Sequence, residues 1–241
     1  MINKIPKILS FSNKHWPKFA ARELQKAVDQ VLLHKINCSL MLTGGATGKM
    51  LYREIAFLHD FPVERITFYF GDERCVPPQD ADSNYSLVMS SLFPNVSGRA
   101  VKISRMEGEL LDASEAARRY ESLVPDEIDV LILGMGLDGH IASLFPGNPA
   151  LDEVKRNIVA VSQIGVTHER ITITPKVIAR SKAVFLLATG REKGALLAKA
   201  LTDSTNYKAL PVCLTVGGTW LLDKEAEMEI LTILKDSDSI Y

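Results

Sequence analysis

The chain has 241 residues, 46% of them hydrophobic and 24% charged, with a formal net charge of −1. That length and composition allow a substantial buried core, while the near balance of charge argues against a broad nucleic-acid footprint and leaves room for a local anion site. No apolar run approaches the roughly 20 residues that span a bilayer, and three cysteines without CxxC spacing suggest neither a disulfide framework nor a zinc site.

Met1 to Lys7 alternates lysines with isolated apolar residues and lacks the apolar core of a signal peptide, so a cytoplasmic location is expected. Lys7 to Ser12 reads as a strand. From His15 to Val31 the spacing turns helical, with Phe19, Leu24, Ala27, Val28 and Val31 on one stripe. Cys38 to Leu42 is a second strand, running directly into Thr43-Gly44-Gly45-Ala46-Thr47-Gly48, with a helix expected over Lys49–Leu58. Strand, glycine loop and helix amino terminus together make an anion cradle, because backbone N–H groups and the helix dipole both favour phosphate. The loop is neither GxGxxG nor the Walker pattern, which argues against a dinucleotide or ATP, and a plain glycine turn also fits it.

Arg65 to Phe70 is the third strand, followed by Gly71-Asp72-Glu73-Arg74-Cys75-Val76-Pro77. That charged turn is either a solvated connection or, standing at the carboxyl end of a strand, part of a ligand site. Asp82-Ser83-Asn84 reads as a cap for a helix over Tyr85–Phe93, and Val101–Ser104 as a short strand before a helix at Ala113–Leu123. The apolar run Val130–Leu133 is a strand buried on both faces. Gly134, Gly136 and Gly139 then turn the chain and carry Asp138 and His140, groups suited to proton transfer. A lone Asp-Gly-His is equally well a capping loop.

A strand is expected at Asn157–Ser162, and the period-two alternation of Ile171–Thr174 predicts a half-exposed strand. Pro175 opens a helix to Arg180, Ala183–Ala188 is a buried strand, and Gly190 precedes a helix through Leu201 whose first turn carries Arg191 and Lys193. Cations there oppose the helix dipole, which favours reading them as anion ligands over tolerated surface charges. Late strands are expected at Leu210–Val216 and Glu229–Leu234, separated by a helix around Trp220–Ala226, with a mobile tail from Asp236 to Tyr241. Strands alternating with helices and no evident linker predict one α/β domain over residues 1–241, three layers around a mostly parallel sheet, with the turns converging on one edge.

These segments together resemble the 6-phosphogluconolactonase family. The matching pieces are Thr43-Gly44-Gly45-Ala46-Thr47, Gly71 to Pro77 with Ser83-Asn84-Tyr85, Leu133-Gly134-Met135-Gly136 through Phe145-Pro146-Gly147, Arg170-Ile171-Thr172-Ile173-Thr174, and Gly190 with Lys193. The resemblance implies a modified doubly wound α/β/α fold like that of glucosamine-6-phosphate deaminase, no metal or organic cofactor, and a monomer acting on a small phosphosugar lactone, with neither nucleic acid nor membrane as partner. It implies hydrolysis of 6-phospho-D-glucono-1,5-lactone to 6-phospho-D-gluconate in the oxidative pentose phosphate pathway. In that scheme His140 is the general base, Asp138 fixes its tautomer or only shapes the loop, and Arg74 meets a phosphate or a developing oxyanion. Asp72 organises the site, while Gly44, Gly45 and Thr47 hold the 6-phosphate with Arg170 and Lys193.

Two departures stand out. Ala46 and Gly48 occupy positions where the family usually has Ser and Pro, and Val166-Thr167-His168-Glu169 replaces a segment often rich in proline. The alternatives are an amino-sugar-phosphate deaminase or isomerase and a non-catalytic sugar-phosphate sensor, both on the same fold. Deaminases carry Asp-Glu-Tyr and Phe-Asn-Glu-Pro where this chain has Asp72-Glu73-Arg74 and Ser143-Leu144-Phe145-Pro146, so Arg74 and Ser143 favour lactone hydrolysis.

Overall fold

The computed structural model describes residues 5–94 and 100–238. In chain order its elements are β1 (Lys7–Phe11), α1 (Trp16–Leu32), β2 (Cys38–Leu42), α2 (Gly45–Ala56), β3 (Ile66–Phe70), β4 (Asp72–Arg74), α3 (Asn84–Leu92), β5 (Lys102–Ile103), α4 (Ala113–Glu121), β6 (Val130–Gly134), β7 (Ile158–Val161), β8 (Arg170–Ile173), α5 (Pro175–Arg180), β9 (Ala183–Ala188), α6 (Arg191–Thr202), β10 (Thr219–Asp223) and α7 (Lys224–Asp238). Seven strands form one sheet in the order β1-β10-β9-β6-β2-β3-β5, every neighbouring pair parallel. Its middle is apolar because helices cover both faces: Val130, Leu131, Ile132 and Leu133 of β6 have no exposed surface.

The chain moves from β2 to β3 toward one edge and from β6 through β9 to β10 toward the other. Right-handed crossovers therefore put α1, α2 and α3 on one face and α4 to α7 on the other. In keeping with this, α1 packs on α2, α2 on α3, and α6 on α7. The winding direction reverses between the neighbours β2 and β6, where open α/β sheets bind ligands beyond their carboxyl ends. A second, antiparallel sheet, β4-β8-β7, with α4 packed on it, borders that edge.

Several expected boundaries differ. Helix α2 starts at Gly45 rather than Lys49, because the Tyr52 hydroxyl accepts from Thr43 N at 2.8 Å and donates to Thr43 O at 2.7 Å, drawing the helix back onto the strand end. Strand β8 is not half-exposed. It is the middle strand of its sheet, with Ile171, Thr172 and Ile173 all buried, and its threonine hydroxyl is satisfied inside: Thr172 Oγ1 accepts from Ser143 N and donates to Ile173 O, both at 3.1 Å.

Ala183–Ala188 and the helices on either side of it stand where expected, but the elements after α6 differ. Pro211–Thr215 is a 3-10 helix, and the strand is Thr219–Asp223, whose Trp220, Leu221 and Leu222 fill the slot between β1 and β9. Glu229–Leu234 lies inside α7, which Asp223 caps by accepting from Ala226 N at 2.9 Å. The expected tail from Asp236 thus begins within α7, and residues 239–241 lie outside the described residues.

Far from the ligand edge, Asp129 ties β6 to β2. One carboxylate oxygen accepts from Lys35 Nζ at 2.6 Å; the other accepts from Ser39 N and Oγ at 3.1 and 3.0 Å. Burial disfavours the charged form, but Lys35 and the Ser39 donors outweigh it and hold the carboxyl below the usual carboxylate range. Asp129→Asn is expected to cost about 1–3 kcal/mol at neutral pH. A depressed folded-state pKa gives stability that is present above the unfolded value and lost as pH falls through the folded one. Denaturant titrations of wild type and variant are therefore expected to separate at pH 7 and converge in strong acid; equal midpoints at pH 7 would contradict the pin.

Candidate active site

At the reversal between β2 and β6 the structure has a cleft of about 170 Å³. Its floor is the amino terminus of α2. Gly44 caps this helix without a side chain and Gly45 turns at φ +82°, so the first-turn amides have no local acceptor. Gly44 is required by packing as well: a Cβ there would lie 1.9 Å from Asn84 Oδ1. Thr43 Oγ1 accepts from Gly134 N at 3.1 Å, joining the two glycine turns across the reversal. Thr47 is buried in the first turn, whereas Ala46 is exposed at the cleft.

The Asp72-Glu73-Arg74 segment is not a solvated turn but strand β4, with both acids buried. Asp72 accepts from Ser143 Oγ at 2.7 Å and from Asn84 Nδ2 at 3.1 Å. Since a carboxylate only accepts, Asn84 must present its amide nitrogen to Asp72, which leaves Oδ1 buried in the cleft wall without a partner. Glu73 takes the backbone N–H groups of Arg74, Asn84 and Tyr85 at 2.7–2.8 Å and the Ser83 hydroxyl at 3.0 Å, fastening β4 to the start of α3. Burial pushes its carboxyl above the usual range against those donors, and neighbouring Asp72 adds to the rise.

Arg74 and Arg170 are cross-strand partners in the β4–β8 pairing. Like charges placed directly opposite are unfavourable, and here the Nε of each is buried with no acceptor. Burial first, and Arg74 second, push the Arg170 guanidinium below its ordinary range. Two opposed cations with unused buried donors make a site for an anion. Across the cleft Lys193, in the first turn of α6, is likewise lowered by burial, partly offset by Asp223. Its neighbour Arg191 is exposed and does not line the cleft, so the pair of cations read from the sequence reduces to one.

His140 lies on the loop after β6. Its Nδ1 is 2.6 Å from Asp138 Oδ1, and the same oxygen accepts from His140 N at 3.1 Å. Asp138 therefore both shapes the loop and orients the ring. Facing a carboxylate, Nδ1 carries the proton, leaving the Nε2 lone pair available. The imidazole packs near Phe145, with centroids 4.9 Å apart, and rests on Gly136, where a Cβ would stand 2.2 Å from Cε1. The His140 side chain is 32% exposed, so water can reach it.

The structure thus gathers Gly44, Gly45, Thr47, Asp72, Arg74, His140, Arg170 and Lys193 around one cleft, with Asp138 behind His140. Asn84 and Glu73 lie within the segments that carry the family resemblance, but the sequence alone places them only in a cap and a charged turn. Their contacts run over 10 to 12 residues and carry no spacing pattern. Among the described residues no group of three or more His, Cys, Asp or Glu is placed to hold a metal ion, and no helix is long and apolar enough to cross a membrane.

A doubly wound sheet with a glycine-capped helix, three cations and a His–Asp pair at its switch point defines an α/β protein with a site for small anionic ligands. The chain belongs to the family described as glucosamine-6-phosphate isomerases/6-phosphogluconolactonase, whose model matches residues 12–220. It is 34% identical over 223 residues to a 6-phosphogluconolactonase of Haemophilus influenzae, covering 84% of this chain and 94% of that one. Among solved structures, a 6-phosphogluconolactonase from Shewanella baltica superposes with a TM-score of 0.83 at 23% identity, covering 92% of this chain and 99% of the other. A monomeric glucosamine-6-phosphate deaminase shares the fold, with a TM-score of 0.78 at 22% identity over 92% of this chain and 99% of its own.

Proposed function

We propose that the protein hydrolyses 6-phospho-D-glucono-1,5-lactone to 6-phospho-D-gluconate, as a cytoplasmic step of the oxidative pentose phosphate pathway. The observation that carries this reading is an imidazole held by Asp138 at its Nδ1, sharing one cleft with opposed guanidiniums and a helix terminus that has no side-chain cap. A substrate with a dianionic end and a hydrolysable carbonyl uses both sides. The 6-phosphate is held by the α2 amides at Gly44, Gly45 and Thr47, by the paired Arg74 and Arg170, and by Lys193. A dianion offsets the repulsion that the two arginines otherwise bear.

His140 Nε2 takes a proton from water as the water oxygen attacks C1, and the carbonyl electrons move onto its oxygen. The tetrahedral intermediate then expels the ring oxygen, breaking the bond between C1 and O5, and the imidazolium returns its proton to O5. Asp138 stabilises the imidazolium through the shortened, charge-assisted contact to Nδ1. Asp72 holds Ser143 and Asn84 in place and takes no proton. The same scheme makes Gly136 a packing requirement. Gly136→Ala is expected to displace the ring and lower kcat on the order of 100-fold, as misplacement by about 1 Å does, with far-ultraviolet circular dichroism unchanged. A variant with wild-type kcat would contradict that placement of His140.

Phe145 separates this chemistry from that of the deaminases sharing the fold, because it stands where their Phe-Asn-Glu-Pro carries the glutamate, while the Ser143 hydroxyl is spent on Asp72 at 2.7 Å. Incubated with glucosamine 6-phosphate, the protein is expected to release no ammonia above the blank. With the phosphorylated lactone it is expected to exceed its own kcat/KM on glucono-1,5-lactone by about tenfold or more, the worth of one charge-assisted contact. Ammonia release at a rate matching lactone opening would refute the proposal.

A further inference from the structure

His168 is not part of the cleft, yet it touches the segment that holds one of its arginines. Its Nε2 lies 3.1 Å from Asp82 Oδ2, and the backbone carbonyl of Asp82 accepts from Arg74 Nη1. The two partners belong to different segments: His168 precedes β8, and Asp82 precedes the cap of α3, 86 residues away. One residue further on, Cys75 N donates to Glu169 O at 2.8 Å, so the two segments run side by side over the arginine pair.

Arg74 needs an external hold. It faces Arg170 across the β4–β8 pairing, and its Nε has no acceptor. Repulsion from the opposed guanidinium favours swinging Arg74 toward solvent. The group opposing that motion is the Asp82 carbonyl; Ser83 Oγ ties the following residue to Glu73 at 3.0 Å, whereas the Asp82 and Ser83 amides reach only Asp80, at 2.8 and 3.1 Å. His168 is the contact that anchors the Asp82 side chain to the other wall of the cleft.

We infer that His168 is a positioning residue for substrate phosphate, holding Asp82 so that its carbonyl keeps Arg74 turned into the cleft. This inference rests on the proposed role of Arg74 toward the 6-phosphate. The hold acts on binding and not on bond breaking, since His140 and Asp138 stand on a separate loop.

The test is steady-state kinetics of wild type, His168→Ala, His168→Gln, Asp82→Ala and the double alanine variant, on phosphorylated and unphosphorylated lactone. His168→Ala is expected to raise KM for the phosphorylated lactone by about five- to tenfold, the scale of one hydrogen bond. Its kcat, and both constants on glucono-1,5-lactone, are expected to stay within about twofold of wild type. His168→Gln keeps an N–H near the Nε2 position and is expected to recover most of the loss. The double variant is expected to be no worse than Asp82→Ala, because the two residues form one link. Unchanged KM in His168→Ala, a fall in kcat on both lactones, or additive losses in the double variant would each overturn the inference. Should the wild type itself fail to turn over lactone, the hydrolase reading falls and the link is read from the Kd of 6-phosphogluconate by calorimetry. The same five- to tenfold weakening supports it there, and equal Kd values overturn it.

Discussion

His140→Ala is expected to lower kcat for 6-phosphogluconolactone by about 100- to 10,000-fold, the range supplied by a positioned general base, which amounts to about 2.7–5.4 kcal/mol of barrier. KM is expected to change little, because the phosphate contacts lie on other elements. The loss has a definite structural origin. Asp138 Oδ1 accepts from Nδ1 at 2.6 Å and so keeps the Nε2 lone pair toward the cleft. Asp138→Asn offers that nitrogen an amide that can donate as well as accept, which allows the wrong tautomer. Its kcat is expected to fall too, by less than in His140→Ala, with the pH profile of kcat displaced. Wild-type kcat in His140→Ala would remove the histidine from the chemistry.

The second large effect concerns the arginine pair, and it runs in opposite directions for binding and stability. Arg170→Met removes a half-buried charge whose buried Nε has no acceptor and which faces Arg74. Burial and Arg74 outweigh the nearby Asp72, Glu73 and Asp82, so replacing this half-buried charge by an apolar side chain of similar length is expected to stabilise the ligand-free protein by about 1 kcal/mol. For a chain of this size that raises Tm by roughly 2–4 °C. The same substitution is expected to raise KM for the phosphorylated lactone about 10- to 100-fold, since hydrogen bonds to charged groups contribute about 1.5–3 kcal/mol, while KM for glucono-1,5-lactone is unaffected. Calorimetry with and without 6-phosphogluconate reads both halves. A variant that is less stable without ligand, or that keeps its preference for phosphate, would show that the pair is structural and not an anion site.

The fold was legible where one face or one run decides the outcome. β2, β6 and β9 read directly as apolar strands because helices cover both sides, and α1 read from its stripe, except that Phe19 is exposed and Trp16, Ala20 and Ala21 are buried instead. Reading failed at Leu210–Val216 and Glu229–Leu234, where apolar, β-branched-rich runs suggested strands. The slot between β1 and β9 was filled instead by Thr219–Asp223, a competition that only the assembled sheet decides. For the site, the glycines, His140 and Asp138 stood out because turn chemistry is local. The contact of Asp72 with Ser143, 71 residues away on the loop after β6, and the pairing of Arg74 with Arg170 across β4 and β8 are set by the assembled fold and leave no mark in spacing. Asn84 stands in the Ser83-Asn84-Tyr85 piece of the resemblance, but its hold on Asp72 follows from the acid it faces and not from its place in a cap.

The central claim is that this cleft opens the lactone of a phosphorylated sugar acid. The most direct measurement is the rate of 6-phosphoglucono-1,5-lactone loss at constant pH, with spontaneous opening subtracted and 6-phosphogluconate quantified as product. The predicted result is a rate proportional to protein concentration, saturating in lactone, and suppressed in His140→Ala. No protein-dependent rate, in a preparation that still binds 6-phosphogluconate, would contradict the claim and leave a sugar-phosphate sensor in its place.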